Sequence, residues 1–250
     1  MKHRSLWTAL TLACTLGSAA ADSLKIDGTS LVLQREDGKT LTGAAVAGHE
    51  IDIDSLQLRI TAVLPGAGRA PWLYELTGHD GEHWRPVCEP DAQGRRAAAV
   101  LAGGLSRDGR FTADPGRLSI ACSSGALGKC LLAGYAPAGD GALRFQACLR
   151  MIRADYCGDG RSWTREGVLV DLFDTEGIQV SEMPHLPLEA AWGPDGAVCV
   201  HHTRVPARLT LPALQDACPK AQQLRPQDCT LPQARRLKDA LLFNRSAPSS

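Results

Sequence analysis

Apolar and polar residues alternate with a period of two along residues 24–66, in short runs separated by Gly: SLKIDG at 23–28, SLVLQR at 30–35 and SLQLRITAVL at 55–64. Such alternation between Asp-Gly breaks predicts β-strands. EDGK at 36–39 and GHDG at 78–81 predict hairpin turns, the second joining WLYEL at 72–76 to HWRPVC at 83–88. The run AAAVLAGGL at 97–105 has a helix-forming composition, but its Gly pair and the RDGR turn at 107–110 favour a strand. RLSIAC at 117–122 predicts another. Residues 22–115 therefore read as β-rich.

The period then changes. Ser123 or Ser124 can cap a short helix over Ala126–Ala133. Between Leu143 and Tyr156, apolar residues at 143, 147 and 151 and at 145, 149 and 152 have helical spacing on two faces. A buried helix is expected there, ended by Gly158. VLVDLFD at 168–174 predicts a strand, and AAWGPDGAVCVHH at 190–202 predicts a hairpin turning at GPDG, with His201 and His202 on its second strand. Prolines at 206, 212, 219, 226 and 232 mark an irregular segment. Thr230 and Pro232 predict a C-terminal helix through ARRLKDALLF, followed by a frayed APSS end. The expected fold class is β-rich α+β: antiparallel strands and hairpins with a few short helices, stapled by disulfides.

The stapling follows from the N-terminus. Lys2, His3 and Arg4, the apolar run Leu6–Leu16 and the small residues Ser18–Ala21 have the three-part form of a secretory signal peptide over 1–21. The run is too short for a membrane span. Cys14 offers the alternative of a lipoprotein, although Thr11, Leu12 and Ala13 make a poor lipobox. A secreted or periplasmic chain sits in an oxidising setting. Apart from Cys14 the cysteines are Cys88, Cys122, Cys130, Cys148, Cys157, Cys199, Cys218 and Cys229. This even set reads as up to four disulfides. The spacing leaves connectivity open; Cys88–Cys122, joining two strands, and Cys218–Cys229, closing a Pro-rich loop, are the pairings it suggests. No C-x2-C unit offers a zinc site, so neither metal nor cofactor is expected.

Charge narrows the partners. Lys and Arg number 27, and so do Asp and Glu. A chain so balanced offers no electrostatic case for nucleic acid or an anionic membrane. Aromatic residues make up only 5% of it, which weakens any reading built on stacking. No second apolar run is long enough for a membrane span. The expected partner is an extracytoplasmic ligand or protein of unidentified chemistry.

ACLRMIRADYCGDG at 147–160 concentrates the chemically capable side chains. Asp155, at the end of a buried helix, either serves as a general acid or base or accepts backbone N–H groups of the 158–160 turn. Asp159, Asp171, Asp174 and Glu176 offer either a carboxylate cluster of the kind glycoside hydrolysis uses or ordinary turn chemistry. None of their spacings matches an EF-hand calcium loop. Cys157 with His185, His201 or His202 would make a thiolate nucleophile, but the even cysteine count favours a bridge. His201 and His202, adjacent on a strand, would face opposite sides. Ser123 and Ser124 lack a nucleophile elbow, and Lys129 lacks a Walker pattern. Tyr156 reads as a packed ring with its hydroxyl at the rim.

The segment RADYCGDG at 153–160 resembles the signature of the ADYC domain, a family of secreted bacterial proteins. The flanks agree: WRPVC at 84–88, GALGKC at 125–130, GYAP at 134–137, QAC at 146–148, TREGVLVD at 164–171 and AWGPDGAVCV at 191–200. The resemblance covers roughly 80–210, between a β-rich N-terminal region at 22–79 and a Pro-rich segment with a C-terminal helix at 211–250. It implies a His where this chain has Phe145, a departure that weakens any catalytic scheme through that position. It implies export and names no reaction.

Two function classes remain. One is a secreted, disulfide-stabilised binding or structural module, favoured because no catalytic motif stands alone. The other is a secreted hydrolase-like enzyme with Asp155, Asp159 and Asp171 as its carboxylates. Geometry separates them: an enzyme needs Asp155 and Asp171 together in one open pocket, whereas a module uses Asp155 on turn N–H groups and bridges Cys157.

Overall fold

The computed structural model describes residues 23–53, 56–66, 70–218 and 223–249. The expected signal peptide and Cys14 lie outside them. Three antiparallel sheets organise the chain. The first pairs β1 (Ser23–Asp27), β2 (Ser30–Gln34) and β3 (Thr40–Thr42) in sequence order. Its alternation is realised directly: Leu31 and Leu33 of β2 are buried while Gln34 is exposed.

The second sheet holds β4 (Glu50–Ile53), β5 (Leu56–Leu64), β6 (Leu73–His79), β7 (Trp84–Pro86), β8 (Ala97–Leu105) and β9 (Phe111–Cys122). The order is β4-β5-β6-β8-β9, with β7 paired to β6. Strand β8 is the one whose composition suggests a helix, and its packing explains why. Ala97, Ala99 and Leu101 enter one core, whereas Ala98 and Val100 enter another. A strand covered on both faces loses polar alternation.

Helices α1 (Ala126–Leu132) and α2 (Ala142–Arg153) build the first of those cores. No serine caps α1; its N-cap is Gly125, and Ser123 donates to Asp91 Oδ2 at 2.9 Å. On α2, Phe145, Ala147, Cys148, Leu149 and Met151 are buried, as the spacing predicts. The helix ends at Arg153, before the expected Gly158 is reached. Ala154 takes a left-handed conformation (φ 51°). The N–H groups of Ala154 and Asp155 then return to the carbonyls of Met151 and Arg150, at 3.0 and 2.8 Å. This is the helix ending that glycine usually makes. Here the alanine methyl is fully buried, and packing holds the conformation.

The third sheet contains β10 (Asp171–Asp174), the β11 (Leu188–Gly193) and β12 (Gly196–Val200) hairpin and, after α3 (Leu211–Ala217) and α4 (Leu231–Ala234), β13 (Leu242–Arg245). Its order is β10-β13-β11-β12. The expected C-terminal helix is therefore corrected: α4 is a single turn, and Leu242–Arg245 is a strand between β10 and β11. Leu242 and Phe243 alternate into different cores, and the Leu241 N–H donates to the Trp192 carbonyl at 2.9 Å. Tertiary pairing overrides local helix propensity. The tail is tied down as well, with the Ser249 N–H on the Arg204 carbonyl at 3.0 Å. His201 and His202 lie just beyond β12, and both of their N–H groups face the Glu189 carbonyl.

The eight cysteines form four pairs: Cys88–Cys122, Cys130–Cys148, Cys157–Cys218 and Cys199–Cys229. The first matches expectation. The expected Cys218–Cys229 loop does not form. Instead the Gln223 N–H donates to the Val198 carbonyl at 3.0 Å, which runs the following segment along β12 and sets Cys229 against Cys199. Cys218, at the end of α3, meets the turn after α2.

Non-reducing peptide mapping should recover these four pairs with no free thiol among the eight positions. Deleting 242–250 removes a central strand, and the shortened chain should show no cooperative thermal transition by circular dichroism.

Candidate functional site

The site that sequence singles out is the turn after α2. Asp155 is completely buried there. Its Oδ1 accepts the Asp159 N–H at 3.1 Å, and its Oδ2 accepts the Gly160 N–H at 2.9 Å. Arg150 Nη1 donates to the same Oδ2 at 2.6 Å, and both side chains of the pair are inaccessible. Burial pushes the Asp155 carboxyl up, and it outweighs the opposing pull of Arg150 and the turn N–H groups. Arg150 also donates to the carbonyls of Asp108 and Pro194, so one guanidinium joins the helix, the 107–110 turn and the hairpin turn. The turn glycines are fixed by crowding. A β-carbon on Gly158 (φ 69°) would overlap the Asp195 carbonyl, and one on Gly160 (φ 85°) would overlap that of Arg107.

The other candidate carboxylates are placed separately. Asp171, at the start of β10, is buried; it accepts Ser181 Oγ at 2.6 Å and the Glu182 N–H at 2.9 Å. Asp174 accepts three N–H groups of its own loop, from Glu176, Ile178 and Gln179, and the Tyr135 hydroxyl at 2.9 Å. Glu176 pairs with Arg144. Asp159 accepts the Arg161 N–H at 3.0 Å. A cleft of about 730 Å³ beside the signature turn is lined by Asp159, Trp163, Asp195 and Leu214; Asp155 and Asp171 do not line it. Cys157 is bridged to Cys218. Among the described residues, no group of three or more His, Cys, Asp and Glu is arranged to hold a metal ion.

Tyr156 corrects the expected rim position. Its ring stacks on Trp192 with centroids 5.2 Å apart, and its hydroxyl lies inside the protein. The hydroxyl donates to Glu189 Oε1 at 3.0 Å and accepts the Arg204 N–H at 2.8 Å. It leads to a second buried ion pair that sequence reasoning missed. Arg204 Nε donates to Glu189 Oε2 at 2.9 Å and Nη2 to Oε1 at 3.1 Å, a two-point pairing. Asn244 Nδ2 and Ser246 Oγ complete the shell of Oε2, at 2.7 and 2.6 Å. Burial pushes the Glu189 carboxyl up, but the Arg204 charge and these hydrogen bonds outweigh it and hold it below its ordinary value. Burial raises the Tyr156 hydroxyl well above its usual range, so it stays a neutral donor. Arg204 further donates to the carbonyls of Met151 and Ile152, at 2.8 and 3.0 Å, capping the C-terminus of α2. A polar residue inside an apolar run was the available signal: Glu189 in LPLEAAW, Asn244 in LLFNR.

A family model, the ADYC domain, matches residues 38–206. No curated protein and no solved structure matches the chain.

Replacing Glu189 by Gln leaves the buried Arg204 guanidinium without its counter-charge and should cost about 3–5 kcal/mol in urea unfolding. The pH dependence follows from the lowered carboxyl. Between the folded and unfolded values the unfolded chain binds more protons, so the contribution of Glu189 is complete above about pH 4.5 and is lost as pH falls through the folded value. The gap between wild type and Glu189→Gln should therefore be largest near neutrality and shrink below about pH 4.5.

Proposed function

The chain belongs to the ADYC domain family, and on that premise we propose that it is a secreted, disulfide-stabilised binding or structural module acting on an extracytoplasmic ligand or protein. The observation that supports this most is the full use of Asp155. Its oxygens accept two turn N–H groups and the Arg150 guanidinium, with no surface left for a substrate. A general acid or base must lie within hydrogen-bond reach of the proton it transfers. Asp171 is likewise closed in by Ser181 and Glu182, and Cys157 is in a disulfide. The signature thus has the composition of a stapled junction: a helix end, a two-glycine turn, a carboxylate to bind its N–H groups and a cysteine to anchor it. Four disulfides suit an oxidising compartment outside the cytoplasm. Among the described residues no helix is long and apolar enough to cross a membrane.

The test pairs chemistry with stability. The purified chain should turn over none of a panel of chromogenic glycosides, esters and peptides above the protein-free rate. Asp155→Asn, which can no longer accept both turn N–H groups and the guanidinium, should lose about 3–5 kcal/mol of stability. Turnover by the wild type that Asp155→Asn or Asp159→Asn abolishes, with near-ultraviolet circular dichroism unchanged, would replace the module by the hydrolase.

A further inference from the structure

A second cleft, of about 580 Å³, lies between α1, the end of α2 and the 162–170 segment. Three cations line it from three different elements: Lys129 of α1, Arg153 of α2 and Arg165. They are poorly matched by carboxylates. Lys129 meets Glu166 only at 4.0 Å, across a Glu166 side chain that is 90% exposed. Arg165 is exposed and forms no ion pair among the described residues. Arg153 gives one terminal nitrogen to the Gly160 carbonyl, but its Nε is buried without a hydrogen-bond partner. Arg204 also borders the cleft, but Glu189 already neutralises it.

Aliphatic side chains share the cleft with these cations. Ile152, Val168, Leu169 and Val170 line it, and Leu169 is 63% exposed, among the most exposed large apolar residues described. Cations and uncovered aliphatic side chains in one cleft select for a ligand with both properties. The volume is in the range of small-molecule sites.

We infer that this cleft binds an alkyl carboxylate. The carboxylate lies among Lys129, Arg153 and Arg165, and the alkyl chain covers Leu169 and its aliphatic neighbours. The assignment rests on the binding-module reading, whose ligand class it names.

The experiment is an NMR titration of the ¹⁵N-labelled chain with sodium octanoate, with 1-octanol and inorganic phosphate as controls for tail and head alone. Octanoate should give saturable shifts at 129, 153 and 165–170. Each control should bind at least about tenfold more weakly, because a charge-assisted contact or the tail's burial is lost. The exposed-site double variant Lys129→Gln/Arg165→Gln, which should keep the fold, should weaken octanoate by about tenfold. No saturable shift in the cleft, equal binding of either control, or an unchanged affinity in the double variant overturns the assignment. Failure of octanoate to bind overturns this ligand alone. Turnover in the substrate panel overturns the module reading whatever octanoate does.

Discussion

The buried pair of Glu189 and Arg204 is the constraint on which the domain depends. Two charges in a dry interior cost several kcal/mol each to desolvate, and only near-complete pairing offsets that. Here the carboxylate accepts from Arg204 twice and once each from Tyr156, Asn244 and Ser246. Those donors come from three separate stretches of chain: the signature turn, the segment after β12, and the C-terminal strand with the residue that follows it. Loss of Arg204 would strand the Glu189 charge, and loss of any other donor would remove a hydrogen bond from it.

Arg150 and Asp155 repeat the arrangement on the other side of the signature. Arg204 donates to the Met151 and Ile152 carbonyls near the end of α2, while Arg150 reaches out from α2 to two turns. The helix end is thus held from both directions. Two disulfides fix the same junction covalently, Cys130–Cys148 beneath the helix and Cys157–Cys218 beyond it. Asp171 and Asp174 organise their loops by the same chemistry, a buried carboxylate accepting backbone N–H groups. Of the acidic residues that resemble a catalytic cluster in sequence, Asp155, Asp171 and Asp174 are each spent on backbone N–H groups of their own.

Much of the fold was legible because its signals are local. Period-two runs at 23–34 and 55–64, the Asp-Gly turns and the helical spacing of 143–152 each report their own structure. Asp155 beside a glycine turn was legible for the same reason. What escaped was set by distant partners. Leu242–Arg245 has a composition a helix accepts, and it becomes a strand only because β10 and β11 leave a gap between them. Cys218 and Cys229 are near in sequence, yet each lies against another element. Glu189 and Asn244 stand out in their apolar runs, but nothing local pairs them with Arg204, and only the fold brings the three within hydrogen-bond distance. Ala154 violates a local rule at the place where the tertiary network is densest.

These buried charges lock the signature turn, the hairpin and the C-terminal strand into one cooperative unit. Native-state hydrogen exchange tests it most directly, at three amides that report the three parts: Gly160 on Asp155, Arg204 on the Tyr156 hydroxyl, and Leu241 on the Trp192 carbonyl. All three should exchange only through global unfolding, with one common opening free energy. Exchange of the Gly160 amide through a separate, much cheaper local opening, with the other two still protected, would contradict it.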